Sequence, residues 1–370
     1  MCTKSTINVI LLRIYTKKGI KILKTTYYDK FKCIADKCTF TCCEGWDIAL
    51  DSEACWKRAR EGKKYEKATK RCPFLKEDGL CHIVEQDGEI ALPESCHTFP
   101  RLVHEYDGEI EELLSFACPV VIDIVNENLD TASMSQEPDN AELTMDAYIR
   151  HSMLEILDNE EYDLSVKLLL VYQYLLLVEE CSEEDIEWET DSFLIEDGLE
   201  DAAAIWEYAD ICREDTVGEC VELLLDIMED YKEIPLYKNI FEDLLAYVEK
   251  ESEESLPVGF ELFHGVFASY EPLLQVVYRD KLYESCRNDD IEDTLANYQL
   301  LAIEYAMVRI AAFLKWKMSP RKTLAYEDIR NYVAAFSRII GHNSETFLEF
   351  IEDSFEEPIL EAGYLALILL

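Results

Sequence analysis

Apolar residues in the second half of the chain recur at the spacing of an α-helix. One buried helical face is predicted by the series Val217, Cys220, Val221, Leu224, Ile227 and Met228. The longest helical pattern covers residues 291–318 and ends before Ser319-Pro320, because proline interrupts a helix. Another helix is predicted from Asp328 to Ile340, followed by Gly341. These patterns predict an α-helical, bundle-like domain over residues 126–370.

The pattern over residues 27–125 is different, because short apolar runs alternate with Asp-Gly pairs. Asp-Gly supplies the positive φ angles that tight turns require. Two predicted hairpins pair Leu80–Glu85 with Glu89–Leu92 around Asp87-Gly88, and Leu102–Tyr106 with Ile110–Phe116 around Asp107-Gly108. The predicted fold class is therefore mainly α, with an N-terminal cysteine-rich α+β module that carries two short β-hairpins.

Residues 1–26 form a basic arm, since the first 24 residues contain six Lys or Arg and no acid. We expect this arm to be disordered or to result from a start codon placed too early. The apolar stretch Leu164 to Val178 contains Lys167 and Gln173 and is shorter than the roughly 20 residues of a membrane span. It is therefore interpreted as a buried helix, and no membrane association is expected.

The charge balance of the chain disfavours nucleic-acid binding. The 370 residues include 35 Lys and Arg against 77 Asp and Glu, which gives a formal net charge of -42. Such an acidic surface repels phosphate backbones and anionic lipids, so nucleic-acid binding is not expected. Twelve of the acids and no Lys or Arg lie within residues 179–201, a segment predicted to be a solvated loop with a short helix. A lysine-bearing partner is electrostatically compatible with this surface.

The candidate chemistry lies in the cysteines, of which the chain has 14. Eight are predicted metal ligands: Cys33, Cys38, Cys42, Cys43, Cys72, Cys81, Cys96 and Cys118. Disulfides are disfavoured because nothing in the sequence signals export and a chain of this size does not need them. Thiolates bind soft metals, but the spacing leaves zinc and an iron–sulfur cluster both open. The preferred four-thiolate set is Cys33, Cys38, one of Cys42 and Cys43, and Cys118.

Several common catalytic motifs are absent from the sequence. It contains no G-x-G, no G-x-S-x-G and no H-E-x-x-H, which disfavours a dinucleotide fold, a nucleophile-elbow hydrolase and a zincin. The C-x3-C-x2-C triplet of radical S-adenosylmethionine enzymes also fails, because Gly45 stands where the third cysteine would be.

The ordered motifs of residues 27–120 resemble the N-terminus of the flagellin lysine-N-methylase family. They are Tyr27-Tyr28-Asp29-Lys30-Phe31-Lys32-Cys33, Cys38-x3-Cys42-Cys43-Glu44-Gly45-Trp46, Cys72-Pro73-Phe74-Leu75, Gly79-Leu80-Cys81-His82-Ile83, Cys96-x2-Phe99-Pro100-Arg101 and Cys118-Pro119. Near the C-terminus, Ser337-Arg338-Ile339-Ile340-Gly341-His342-Asn343 is similar to a helix end of the same family.

The resemblance implies methyl transfer from S-adenosylmethionine to lysine side chains of flagellin, in the cytoplasm. It also implies an iron–sulfur cluster, expected to be 4Fe-4S, with zinc as the alternative metal. His97 and Arg101, which lie near Cys96, are the polar residues to test first for catalysis. The alternative interpretation is a non-catalytic zinc- or iron-binding interaction module whose acidic helical domain binds a partner.

Overall fold

The computed structural model describes residues 22–45, 70–106, 109–134, 143–182, 184–207, 211–286, 290–341 and 362–370. Several predicted features fall outside these ranges: most of the basic arm, Trp46, the Asp107-Gly108 turn, and His342-Asn343.

A three-stranded sheet forms the β part of the described chain. Its strands are β1 (Ile22–Lys24), β2 (Arg101–Tyr106) and β3 (Glu109–Leu114), in the order β1-β3-β2. β2 and β3 are antiparallel, and their register runs from Arg101 opposite Leu114 to Tyr106 opposite Glu109. This pairing confirms the second predicted hairpin. β1 adds to β3 in parallel, which the sequence pattern did not predict.

The first predicted hairpin is wrong. Its two arms are instead helix α1 (His82–Asp87) and a 3-10 turn at Glu89–Ala91. Gly88 has a φ of 77° and its amide donates to the carbonyl of Val84, so it ends the helix. The physical reason is that a glycine with positive φ ends a helix as readily as it forms a hairpin turn.

The remaining helices of the described residues follow in chain order. They are α2 (Glu94–Thr98), α3 (Pro119–Asn126), α4 (Met145–Asp158), α5 (Leu164–Glu180), α6 (Ile186–Leu194), α7 (Glu196–Glu207), α8 (Arg213–Glu229), α9 (Pro235–Val248), α10 (Phe260–Phe267), α11 (Glu271–Ser285), α12 (Ile291–Met318), α13 (Tyr326–Ile339) and α14 (Ala362–Leu369). The fold is therefore mainly α with a few short strands, as predicted.

Helix α12 is the centre of the helical part. Every residue from Tyr298 to Leu314 is buried, and the helix packs against α5, α8, α13 and α14. A helix that is buried on all sides belongs in the interior of a domain. Its bounds confirm the predicted helix over 291–318: Asp290 caps the first turn, and the helix stops at Ser319, before Pro320.

The other predicted helices also form. The six residues of the predicted face of α8 are all buried. α13 begins two residues before the predicted Asp328, and Gly341 follows its C-cap Ile340. The acidic segment over 179–201 is more helical than predicted, because α6 and the start of α7 occupy most of it. Within the described ranges, no helix combines the length and the apolarity that crossing a membrane requires.

Candidate functional site

All eight predicted ligand cysteines are free thiols. Cys72 and Cys118 are buried, Cys33 and Cys42 are exposed, and the other four are partly buried.

Backbone pairing brings distant thiol-bearing segments side by side. The Cys72 amide donates to the Cys43 carbonyl at 2.8 Å, and the Gly45 amide donates to the Lys70 carbonyl at 2.8 Å. The segment after Cys72 folds back in turn, so that Leu75 pairs with Cys81. As a result, residues 25 to 29 positions apart in the sequence lie along neighbouring backbones.

A small hydrophobic cluster surrounds one group of these thiols. It consists of Cys72, Phe74, Leu75 and Ile83, with Cys43 and Cys81 packed against it. The main hydrophobic core, which includes the helices, instead contains Cys118 and contacts the partly buried Cys38. Cys38 and Cys43 are five positions apart and contact different clusters, so this short segment links the two packing environments.

Arg338 of α13 attaches the thiol-bearing segments to the helical part. Its side chain is fully buried. Nε donates to the Ala117 carbonyl at 2.9 Å, while Nη1 donates to the carbonyls of Thr41 at 2.7 Å and Glu44 at 3.2 Å. A single side chain thus holds both the loop that carries Cys42 and Cys43 and the turn that precedes Cys118.

The end of that loop depends on Gly45. Its φ is 94°, and a Cβ at this position would lie 2.7 Å from the Tyr237 hydroxyl oxygen. The same hydroxyl donates to the Gly45 carbonyl at 2.8 Å. The position therefore requires glycine both for its backbone angle and for the close approach of Tyr237.

Electrostatic interactions connect the thiols further. Cys43 shares hydrogen bonds with Cys42 and Cys72, which raise the pKa of Cys43 and lower the pKa values of Cys42 and Cys72. Burial raises the pKa of Cys96 to about 12, with smaller contributions from Cys72, Cys42 and Cys81. Burial also raises the pKa values of Cys38 and Cys118, with smaller contributions from Cys42 and Cys33 to the first and from Cys38 to the second. Hydrogen bonds thus join Cys43 to Cys42 and to Cys72, whereas the other contributions between thiols are electrostatic.

Arg338 supplies positive charge near three of these thiols, Cys42, Cys118 and Cys38. Burial lowers its own pKa, and its neighbours Cys42, Cys118 and Cys38 act in the opposite direction. A guanidinium near a thiol favours the thiolate, which is the form that binds metals. The side chains thus suit a soft metal in chemical type. However, the part of the chain that the structure describes contains no group of three or more Cys, His, Asp or Glu arranged to hold a metal ion.

His97 and Arg101 lie on either side of the Phe99-Pro100 turn. His97 is exposed on α2. Arg101 is half-buried, donates to the Phe31 carbonyl at 3.4 Å, and lies 5.1 Å from the centroid of the Phe31 ring. These contacts give Arg101 a packing role at the segment before Cys33. Sequence reasoning assigned no role to Arg338, although it lies within the C-terminal family motif.

The fold and site define a class of protein in which a cysteine-rich segment is attached to an α-helical body by a buried arginine. The model of the FliB lysine N-methylase C-terminal domain matches residues 150–368, which is more than half of the chain. The protein therefore belongs to the FliB lysine N-methylase family, as the sequence motifs predicted.

Individual relatives show more limited similarity. The chain is 28% identical over 144 residues to a lysine-N-methylase of Salmonella typhimurium, and the match covers 32% of this chain and 36% of the relative. It is 27% identical over 161 residues to the flagellar biosynthetic protein FliU of Salmonella muenchen, a match that covers 37% of this chain and 90% of that protein. The chain thus spans about a third of the length of the lysine-N-methylase. No solved structure matches the chain.

Proposed function

We propose that the protein transfers methyl groups from S-adenosylmethionine to lysine side chains of flagellin in the cytoplasm. The observation that carries the proposal is the joining of two features in one chain. The helical part matches a lysine N-methylase domain, and Arg338 of that part binds the backbone of the N-terminal segment, which carries eight free thiols.

The reaction sets requirements for the site. A lysine side chain has a pKa of about 10.4 and is protonated at pH 7, so it cannot attack an electrophilic methyl group. The enzyme must remove one proton, and the nitrogen lone pair then forms the N–C bond while the C–S bond of the sulfonium breaks. A dry site with a base beside the amine meets both requirements.

The proposal includes a thiol-held centre of iron and sulfide, with zinc as the alternative metal. Its ligands would come from the eight N-terminal cysteines, whose thiolates suit both metals. No step of the methyl transfer is assigned to this centre, since no ligand set is arranged among the described side chains.

The direct test incubates anaerobically purified protein with methyl-labelled S-adenosylmethionine and purified flagellin. We expect label on lysine ε-nitrogens, identified by mass spectrometry of peptides, and no label on flagellin whose lysines were acetylated beforehand. Metal-loaded protein that transfers no label would overturn the proposal and favour the non-catalytic interaction module.

The metal part is tested by replacing Cys33 and Cys38 with Ser and measuring iron and zinc per chain. We expect the bound metal to be lost. The matched control replaces Cys181 and Cys212, two free thiols of the helical part, and should keep the metal. Equal metal content in the two variants would contradict the assignment of the N-terminal thiols as ligands.

A further inference from the structure

A buried polar cluster lies where three helices of the helical part meet. Lys281 of α11 donates to Glu304 Oε2 of α12 at 2.9 Å, and the Ser337 hydroxyl of α13 donates to Glu304 Oε1 at 2.9 Å. All three residues are buried, and Glu304 is only 2% exposed. Each helix thus contributes one polar side chain to a single point inside the domain.

Stability alone does not account for this cluster. Removing two charges from water costs several kcal/mol per ion, and well-packed apolar side chains often replace a buried ion pair without loss of stability. Buried charged groups that do not serve stability are candidates for functional sites. The cluster is also close to the cysteine-bearing loop, because Ser337 directly precedes Arg338, which binds the Thr41 carbonyl of that loop.

Gly341 lies beside the ion pair, just after the end of α13. Gly341 is exposed, and its φ lies outside the left-handed region, so the backbone does not require glycine there. Within the described residues, a Cβ at this position would meet two atoms within 4 Å: Glu304 Oε2 at 3.7 Å and Lys281 Nζ at 3.9 Å. A group that approaches where this side chain is missing would therefore reach both members of the ion pair.

The groups around Glu304 define its proton affinity. Burial raises its pKa, Lys281 and Ser337 oppose that effect, and Glu284 of α11 adds to it. The Tyr278 hydroxyl is buried near Glu304 and has no hydrogen-bond partner among the described residues. A carboxylate in such a place binds a proton more readily than one in water.

We propose that Glu304 is the base that receives the proton of the substrate lysine, with the amine approaching beside Gly341. This inference rests on the proposed function and names a catalytic residue for it. The amine loses one proton to Glu304 Oε2, and its lone pair then forms the N–C bond as the methyl–sulfur bond of S-adenosylmethionine breaks. The sulfur keeps the bonding pair and leaves as a neutral thioether.

Lys281 would assist in two ways. Its positive charge keeps Glu304 ionised before the substrate arrives, and it disfavours a second ammonium nearby, which lowers the pKa of the incoming lysine. The site would therefore accept a primary amine on an extended side chain.

The test replaces Glu304 with Gln and measures methyl transfer to flagellin from pH 7 to pH 10. Loss of a positioned base lowers the rate by about 10²–10⁴-fold. We expect this deficit at pH 7, and we expect it to shrink towards pH 10 because the free amine becomes abundant near its own pKa of about 10.4. A purely structural role would not produce this pH-dependent recovery.

The matched control is Glu111→Gln, at a second buried carboxylate. Glu111 is 0% exposed and hydrogen-bonds with Arg150 and, at 2.7 Å, with His104 Nε2. We expect this variant to lose stability without altering the pH profile of methyl transfer. Wild-type rates in E304Q, or a deficit that stays constant with pH, would overturn the inference while the wild-type activity upheld the proposed function. An inactive wild-type protein would overturn both.

A second variant tests the proposed approach of the amine beside Gly341 without removing the charged groups. Gly341→Ala places a methyl group at normal contact distance from the ion pair, so the fold is expected to persist. We expect KM for the lysine substrate to rise roughly tenfold, because the amine is displaced from Glu304. Gly218→Ala, where nothing lies within 4 Å of the added Cβ, serves as the control. An unchanged KM in G341A would overturn the placement of the amine.

Discussion

The guanidinium carbon of Arg338 lies 4.3 Å from the centroid of the Phe40 ring, and Nη2 donates to the Phe40 carbonyl at 3.3 Å. The two residues are 298 positions apart in the chain. Stacking and hydrogen bonding by one buried side chain therefore hold the loop between Cys38 and Cys42 against α13.

Replacing Arg338 with Ala is expected to destabilise the protein by at least 3 kcal/mol. The loss leaves several buried carbonyls without a donor, and each such group costs about 1–3 kcal/mol. Urea unfolding followed by circular dichroism measures the effect. Arg321→Ala, at an exposed position after α12, should change the free energy of unfolding by less than about 0.5 kcal/mol. Similar stabilities of the two variants would show that Arg338 does not hold the loop.

Gly45→Ala is expected to be more destabilising than Gly88→Ala. Both glycines have positive φ, 94° and 77°, so both substitutions carry a backbone penalty of about 1–3 kcal/mol. Only the Cβ at position 45 meets the Tyr237 hydroxyl at 2.7 Å, whereas position 88 has nothing within 4 Å. Overpacking adds about 1–3 kcal/mol at Gly45.

A second substitution, at Tyr237, is expected to restore part of the stability that Gly45→Ala loses. Tyr237→Ala removes the hydroxyl oxygen and the two ring carbons that the new methyl group would meet at 2.7, 2.9 and 3.0 Å, so G45A/Y237A should be more stable than the sum of the single variants predicts. Thermal unfolding of the set of variants measures this coupling. Equal losses at Gly45 and Gly88, with additive behaviour of the pair, would contradict the close approach of Tyr237.

The stability of the protein should depend on the ionisation of Asp280. This carboxyl group is buried and accepts a hydrogen bond from the Tyr27 hydroxyl at 2.5 Å, and burial raises its pKa from 3.8 to about 6. The folded state therefore binds the proton more tightly than the unfolded state. The stabilisation is fully present below pH 3.8 and is lost as the pH rises through 6.

Asp280→Asn removes this titration and keeps an acceptor for Tyr27. We expect the variant to gain stability relative to the wild type between pH 4 and pH 7, by up to about 3 kcal/mol. Urea midpoints at half-unit pH intervals measure the difference. A constant difference across this range would show that Asp280 titrates normally.

The extent of sequence-based prediction differs between elements. The pattern over 291–318 predicted α12 to the residue, because its signals, an apolar helical run and a proline stop, all lie within the element. The Asp87-Gly88 pair misled the prediction, since the same dipeptide serves a hairpin turn and a helix end. Packing of Ile83 into the cluster around Cys72 accompanies the helical outcome.

The candidate site shows the same difference between what local sequence signals predict and what tertiary packing decides. The sequence by itself determined which residues carry the candidate chemistry, the eight cysteines, and the family to which their spacing belongs. Only the tertiary structure decided that Arg338 holds their segments and that Lys281, Glu304 and Ser337 meet at one buried point. Helical periodicity and turn signals act over a few residues. Contacts between residues 20 to 300 positions apart depend on how all the elements pack together.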